Sequence, residues 1–379
     1  MTSKYNTSRT GQAVARSWSD SETLPLVSII VVNYNGEPHL ATCLGSLLKD
    51  TYPARQILVV DNASTDDSRT VLDNVSSLHS EIRVIWSSDN LGYAGGVNLG
   101  LESANGEFIA VLNMDVTVKP GWLMPLVTFL REHPETGAVN PLIALADGEH
   151  VNAAGQDVHV TGLGFNRCLD RPVESIGHMA FRISGIQGAA FLVRRALLNR
   201  IGGIDTTGFL YHEDVNLSWL LQLMGFDLYC VPDAIVCHDY SLTMYAGKLH
   251  LLERNRLAML LAYLRWSSLV LLSPALLITE FLLWGYCLLR GWEFVRAKMV
   301  SYRWVLERWP QIQERRRLAE VVRVISDWTL LRRLRWSYAV DQIVTLGRER
   351  GDSTRQPAGG LPEEALNQYS KRGYRAGEH

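Results

Sequence analysis

The chain lacks any regular cysteine pattern. Cys43, Cys168, Cys230, Cys237 and Cys287 are odd in number, and none sits in a CxxC pair. That spacing argues against structural zinc and a disulfide framework, and fits a reducing compartment. The first 24 residues hold no apolar run, so no secretory signal is expected there. Net charge is almost absent as well: 37 Lys and Arg against 39 Asp and Glu give -2, so no global attraction to nucleic acid follows. Tandem repeats are missing. What charge there is lies unevenly. From Arg290 to Arg350, 14 basic residues oppose 7 acidic ones, a net of +7 that leaves -9 for the rest. Such asymmetry points to a C-terminal third that meets an anionic surface.

The 379 residues, 47% of them hydrophobic, suffice for a sizeable core and about two units. Residues 1–24 read as a flexible tail, as do residues 346–379, rich in Gly, Pro and charge. Between them, Val27–Val32, Ile57–Val60, Ile82–Trp86 and Phe108–Leu112 are short β-branched or apolar runs, separated by amphipathic stretches. Strands alternating with helices predict an α/β fold of βαβ units, a parallel sheet with helices on both faces. Polar turn clusters such as Asn33-Tyr34-Asn35-Gly36 and Asp61-Asn62-Ala63-Ser64 follow the strands, where open α/β sheets bind ligands. A helix is expected over Trp122–Arg131, a Gly-rich irregular stretch of short strands and loops over a cleft from Val139 to Ile183, a strand at Ala189–Val193 and a helix over Asp214–Met224. This gives a catalytic unit over 25–245 and a helical, apolar and basic region over 246–345.

Within that region Leu269–Leu289 is long enough to span a bilayer, yet it contains Pro274 and Glu280, and basic residues flank both ends. A single span would place one basic flank outside. The expectation is therefore helices lying in the membrane interface, or a hairpin broken at Pro274. A core helix of a second domain is the alternative. Trp292, Trp304 and Trp309 beside arginines suit an interfacial belt.

Two constellations carry chemistry. Phe108–Val118 (FIAVLNMDVTV) delivers Asn113 and Asp115 to the end of a strand. A carboxylate there can hold a divalent cation on a bound phosphate, although an Asp after a strand is also an ordinary turn residue. Glu213-Asp214 opens a helix. The pair can be first-turn acids favoured by the helix dipole, worth ~0.3–1 kcal/mol, or a general base at the edge of a cleft. Residues alone stop at a nucleotide-binding α/β enzyme.

The ordered series VSIIVVNYNG, VVDNASTDDS, DNLGYAGGVNLGL, AVLNMD, GAAFLVRRALLNRIGGID and YHEDVNLSWLLQLMG resembles family 2 glycosyltransferases, in particular the bacterial rhamnosyltransferase-like branch. The resemblance covers about Leu26–Ser241. It implies a GT-A fold and an inverting transfer of a sugar from a nucleotide-diphosphate donor, dTDP-rhamnose or a UDP-sugar, to a hydroxyl of a lipid-linked or surface-polysaccharide acceptor. It also implies work at the cytoplasmic face of the plasma membrane, as a peripheral or monotopic protein. By residue, Asp61, Asn33 and Asn35 would meet the base; Asn90, Gly92 and Asn98 the ribose and phosphates. Asn113-Met114-Asp115 stands in the place of the family's D-x-D motif with an amide for its first carboxylate. Asp115 and His238 would hold Mg²⁺ or Mn²⁺. Asp214 would be the base with Glu213 beside it, Gln187-Gly188-Ala189 the wall between donor and acceptor, and Arg254-Asn255 would reach the diphosphate when a loop closes. His212 and Asn216 depart from the usual pattern around the acid pair and would tune the acceptor. A non-catalytic nucleotide-sugar-binding scaffold is the rival, motivated by Asn113. A nucleotidyltransferase would carry basic residues after the first strand, and Asn33–Glu37 has none.

Overall fold

The computed structural model describes residues 24–240, 243–339 and 342. The tails expected at 1–24 and 346–379 therefore lie outside the described residues, apart from Leu24. All five cysteines are free thiols.

The chain runs β1 (Val27–Asn33), α1 (Glu37–Leu48), β2 (Arg55–Asp61), α2 (Ser68–Leu78), β3 (Ile82–Trp86), α3 (Gly92–Glu102), β4 (Phe108–Asn113), β5 (Val116–Val118), α4 (Leu123–Glu132), β6 (Thr136–Leu145), β7 (Val151–Ala153), β8 (Gln156–Val158) and β9 (Gly164–Asn166). It continues with β10 (Phe181–Arg182), β11 (Ala190–Arg194), α5 (Arg195–Ile201), α6 (Glu213–Leu223), β12 (Asp227–His238), α7 (Ala246–Tyr263), α8 (Trp266–Arg290), α9 (Trp292–Glu307), α10 (Trp309–Val322) and α11 (Asp327–Arg333). One large sheet has the order β10-β12-β6-β11-β4-β1-β2-β3.

The strands from β4 to β3 are parallel, as the βαβ pattern predicts. Alternation along β1 shows why they are apolar throughout. Ile29 and Val31 pack with Leu40 and Leu44 of α1, while Ile30 and Val32 pack on the other face with Val97 of α3. The sheet as a whole is mixed, not parallel: β11 runs antiparallel to both β4 and β6. The central strand β6 also overturns the irregular stretch expected from Val139. It hid behind Asn140 and Pro141, residues that normally argue against a central strand. Pro141 cannot donate to the ladder, and β12 answers with a register shift between Val231 and Ile235. Asn140, fully buried, donates to the Gln187 carbonyl at 3.0 Å and accepts from the Gln187 N–H at 2.8 Å.

The C-terminal helices are not an appendage. Ala258, Met259 and Leu260 of α7 and Ile312 of α10 belong to the same core cluster as Ile30 and Val32. The hairpin expected at Pro274 does not form: α8 is a single 25-residue helix with the proline inside it. Glu280 explains its placement. It pairs with Arg256 of α7 at 2.7 Å and Lys298 of α9 at 2.8 Å, so the one acidic residue of α8 faces the body. Trp304 is likewise turned inward, stacked under Arg254 at 4.6 Å, and is not part of an interfacial belt.

Candidate active site

Strand register brings the polar tips together. Asn33 pairs with Asp61, and Val32 with Asn113, at the C-terminal edges of three adjacent parallel strands. Just beyond, β5 pairs antiparallel with β12, setting His238 opposite Val116, one residue after Asp115. The His238 Nε2 and an Asp115 Oδ1 lie 3.4 Å apart. His238 Nδ1 contacts Asn152 Oδ1 at 3.0 Å, so Nδ1 donates there and Nε2 is the nitrogen that faces Asp115. Asp115 Oδ1 is buried and has no hydrogen-bond partner. Among the described residues no group of three or more His, Cys, Asp or Glu converges on one point. Two donors side by side nevertheless fit a cation that completes its shell with phosphate and water.

Asp115, His238, Asn113, Glu213 and Asp214 all line one cleft of about 750 Å³. Tyr93 reports their convergence. Its hydroxyl, donating to the Gly188 carbonyl at 2.6 Å, is pushed well above the usual tyrosine range by burial and then by Glu213, Asp214 and Asp115.

Asp214 is tightly held. Its Oδ2 accepts from Gln156 Nε2 at 2.7 Å and the Gly188 N–H at 2.9 Å, and its Oδ1 accepts from the Val215 N–H at 2.7 Å. Burial raises its pKa, and these bonds oppose the rise. Burial, Asp214 and Asp205 push the Glu213 carboxyl up to about 8. Glu213 thus keeps its proton at neutral pH.

The loop before this pair is strained. Phe209, Tyr211 and His212 all have φ between 65° and 72°, outside the usual range for non-glycine residues. Asn255 of α7 holds it, donating to the carbonyls of Gly208, Leu210 and Tyr211 at 3.2, 3.0 and 2.7 Å. His212 Nε2–H donates to the Gly162 carbonyl at 2.8 Å, and burial keeps the ring neutral with a pKa of about 4. Gly92 abuts the same loop at φ 73°, where a Cβ would come within 2.1 Å of the Phe209 carbonyl oxygen.

Several expected ligands have other tasks. Asn33 is fully buried and donates to Asp61 Oδ1 at 2.9 Å and Ser64 Oγ at 3.0 Å. Asp61 is 5% exposed, and its second oxygen accepts from the Ser64 N–H. Asn35, at φ 52°, accepts from the Thr65 N–H. These three brace the turns; Tyr34, Asn62, Asn90 and Gly92 form the cleft wall there. Asn98 spends its amide on both backbone groups of Ile204, at 2.8 Å each. Arg254 does not line the cleft. It donates to the Gly208 carbonyl at 3.0 Å, is 8% exposed and, among the described residues, has no carboxylate partner in hydrogen-bond range. Asn216 donates to Asp205 and accepts from Tyr263 of α7, and it does not line the cleft. The sequence reading missed Gln156, Asn152 and Tyr93, and it gave Asn255, with Arg254, to the diphosphate and not to the loop it holds. Gln156 and Asn152 sit in the stretch read only as short strands and loops.

A mixed α/β sheet with a carboxylate and a histidine at its polar edge, facing an acid pair across a cleft, defines a GT-A fold. Residues 28–201 match the family model "Glycosyl transferase family 2". An "Uncharacterized glycosyltransferase" of Haemophilus influenzae is 32% identical over 124 residues, covering 33% of this chain and 38% of that protein. The "N-acetylglucosaminyl-diphospho-decaprenol L-rhamnosyltransferase" of Mycobacterium tuberculosis is 28% identical over 235 residues, covering 56% of this chain and 76% of that one. The crystal structure of GalNAc-T7 with UDP, GalNAc and Mn²⁺ superposes with a TM-score of 0.55 at 18% identity, over 65% of this chain and 49% of that chain. The chain therefore spans well under two thirds of the Haemophilus protein and of GalNAc-T7.

Proposed function

We propose that this protein transfers a sugar from a nucleoside-diphosphate donor to an acceptor hydroxyl with inversion at the anomeric carbon. The observation that carries this reading is the single cleft shared by the Asp115–His238 pair and Asp214. The nucleotide would sit against Tyr34, Asn62, Asn90 and Gly92, with the diphosphate toward Asp115. A divalent cation, Mg²⁺ or Mn²⁺, bound at Asp115 and His238 would neutralise the leaving diphosphate. Asn113 lowers the negative charge there. An imidazole ligand suits Mn²⁺ better than Mg²⁺.

Asp214, fixed by three donors, takes the proton of the acceptor hydroxyl. The hydroxyl oxygen forms a bond to the anomeric carbon as the bond from that carbon to the phosphate oxygen breaks, and the nucleoside diphosphate leaves. One displacement inverts the configuration, with no covalent enzyme intermediate. Glu213, neutral at pH 7, spares Asp214 a second like charge. The decaprenol in the mycobacterial relative's name, together with α8, supports a lipid-linked glycan acceptor at the cytoplasmic face of the membrane. The described parts of the units 25–245 and 246–345 then share one core and divide the work between transfer and membrane contact.

Screening nucleotide sugars for diphosphate release tests the reading. Turnover is expected with at least one donor, and Asp214→Asn should lower it about 10²–10⁴-fold with the thermal midpoint little changed. Full turnover in that variant would remove Asp214 as the base. Nucleotide-sugar binding without release from any donor and acceptor would favour the scaffold.

A further inference from the structure

The cleft does not end at the carboxylates. Beyond Tyr245 and Lys248 its wall is α8, contributed by Thr279, Leu282, Leu283 and Tyr286. Leu282 is 45% exposed, so it belongs both to the cleft and to the outer face of α8. That outer face holds Val270, Leu277, Ile278, Phe281, Leu288 and Leu289 at helical spacing, all exposed and up to 84% so. No charged residue interrupts it, since Glu280 points the other way, between Arg256 and Lys298. Among the described residues this is the one helix long and apolar enough to cross a membrane.

Its surroundings are unsuited to crossing. One flank of α8 packs on α9 and is tied to α7 through the Arg256–Glu280 pair, with a charged network at its middle. At 1.5 Å per residue the helix is about 37 Å long, with one apolar side and one protein-covered side, the pattern of a helix lying in a membrane plane. The strip's ends carry the matching chemistry. Trp266 lies under Arg316 at 4.9 Å and beside Trp309 at one end; Trp292 is 73% exposed at the other. Arg296 and Arg317 are exposed, with no carboxylate partner among the described residues. Tryptophan and arginine at both ends of an apolar strip complement anionic headgroups around an acyl layer.

We infer that α8 lies in the plane of one leaflet of an anionic bilayer, and that the cleft opens sideways onto that leaflet past Leu282, Leu283 and Tyr286. The acceptor is then a glycan on a long isoprenoid or alkyl chain, and the chain stays in the bilayer while the sugar hydroxyl reaches Asp214. The fate of the acceptor rests on the glycosyl-transfer reading above; the docking of α8 does not.

Flotation of the full chain with vesicles separates the two. The unaltered protein should float with vesicles of equal parts phosphatidylcholine and phosphatidylglycerol, and less with phosphatidylcholine alone. Phe281→Glu combined with Leu288→Glu should weaken flotation roughly tenfold or more, with an unchanged thermal midpoint and unchanged diphosphate release from a short-chain, water-soluble acceptor. Leu283→Trp, at the cleft mouth, should float normally but favour the short-chain over the long-chain acceptor. Equal flotation by the doubly substituted protein, or none by the unaltered one, overturns the docking. So does a dimer in solution that the two glutamates dissolve, which would make a second copy the occupant. Equal use of both acceptors by Leu283→Trp overturns the sideways opening. A protein that floats but transfers to neither acceptor leaves the docking standing and refutes the transfer.

Discussion

At the residue scale the acid pair divides into a fixed group and a titrating one. Asp214 accepts three hydrogen bonds, whereas Glu213 is raised to about 8 by burial and by its acidic neighbours. Because the folded pKa lies above the ordinary value of 4.5, the folded protein holds this proton more tightly than the unfolded chain. Stability therefore falls as pH rises from about 4.5, and the loss is complete above about 8. Glu213→Gln should not show that loss, so its thermal midpoint should gain on the parent's across this window and stay level beyond it. A constant offset between the two melting curves from pH 5 to 9 would contradict the assignment. Asp115 and Asp214 were legible in the sequence because one follows the end of a strand and the other opens a helix. Gln156 and Asn152 were not, since their roles exist only once β7 and β8 fold against β12 and α6. The contacts of Asn98 and Arg254 were hidden for the same reason. Their amide and guanidinium groups serve backbone carbonyls that only the tertiary fold brings near.

At the scale of elements, the loop before α6 and the seat of α8 are the two stressed joints. Gly92 touches Phe209 so closely that Gly92→Ala must displace the loop holding Glu213 and Asp214. A loss of about 2 kcal/mol or more is expected from strain alone, measured by chemical denaturation, with turnover falling alongside. Lys298 is fully buried between Glu253 and Glu280. Lys298→Met leaves those carboxylates with Arg256 as their one cation and, for Glu280, the Tyr302 hydroxyl, and a loss of about 3–5 kcal/mol is expected. A variant as stable as its parent would mean that this network does not seat α8. The strands β1 to β4 and their helices were readable from alternation and turn chemistry. The strand β6 was not, because Pro141 and Asn140 break the pattern that marks a strand, and β12 and Gln187 compensate from far along the chain. The continuity of α8 through Pro274 was equally hidden, since its packing on α7 and α9 is tertiary.

At the scale of the whole molecule, the sheet edge, the acid pair and α8 share one cleft. Arg256 bridges Glu253 on its own helix and Glu280 on α8, while its neighbour Asn255 grips the loop that carries Glu213 and Asp214. The helix assigned to the membrane is thereby tied to the helix that positions the base. The division of labour across the cleft is tested most directly by calorimetric titration of nucleoside diphosphate, with and without Mn²⁺, into Asp115→Asn and Asp214→Asn, alongside turnover. Asp115→Asn should lose the Mn²⁺-dependent part of the affinity. Asp214→Asn should bind as the unaltered protein does and fail to transfer. Unchanged Mn²⁺-dependent binding in Asp115→Asn, or full transfer by Asp214→Asn, would contradict the account.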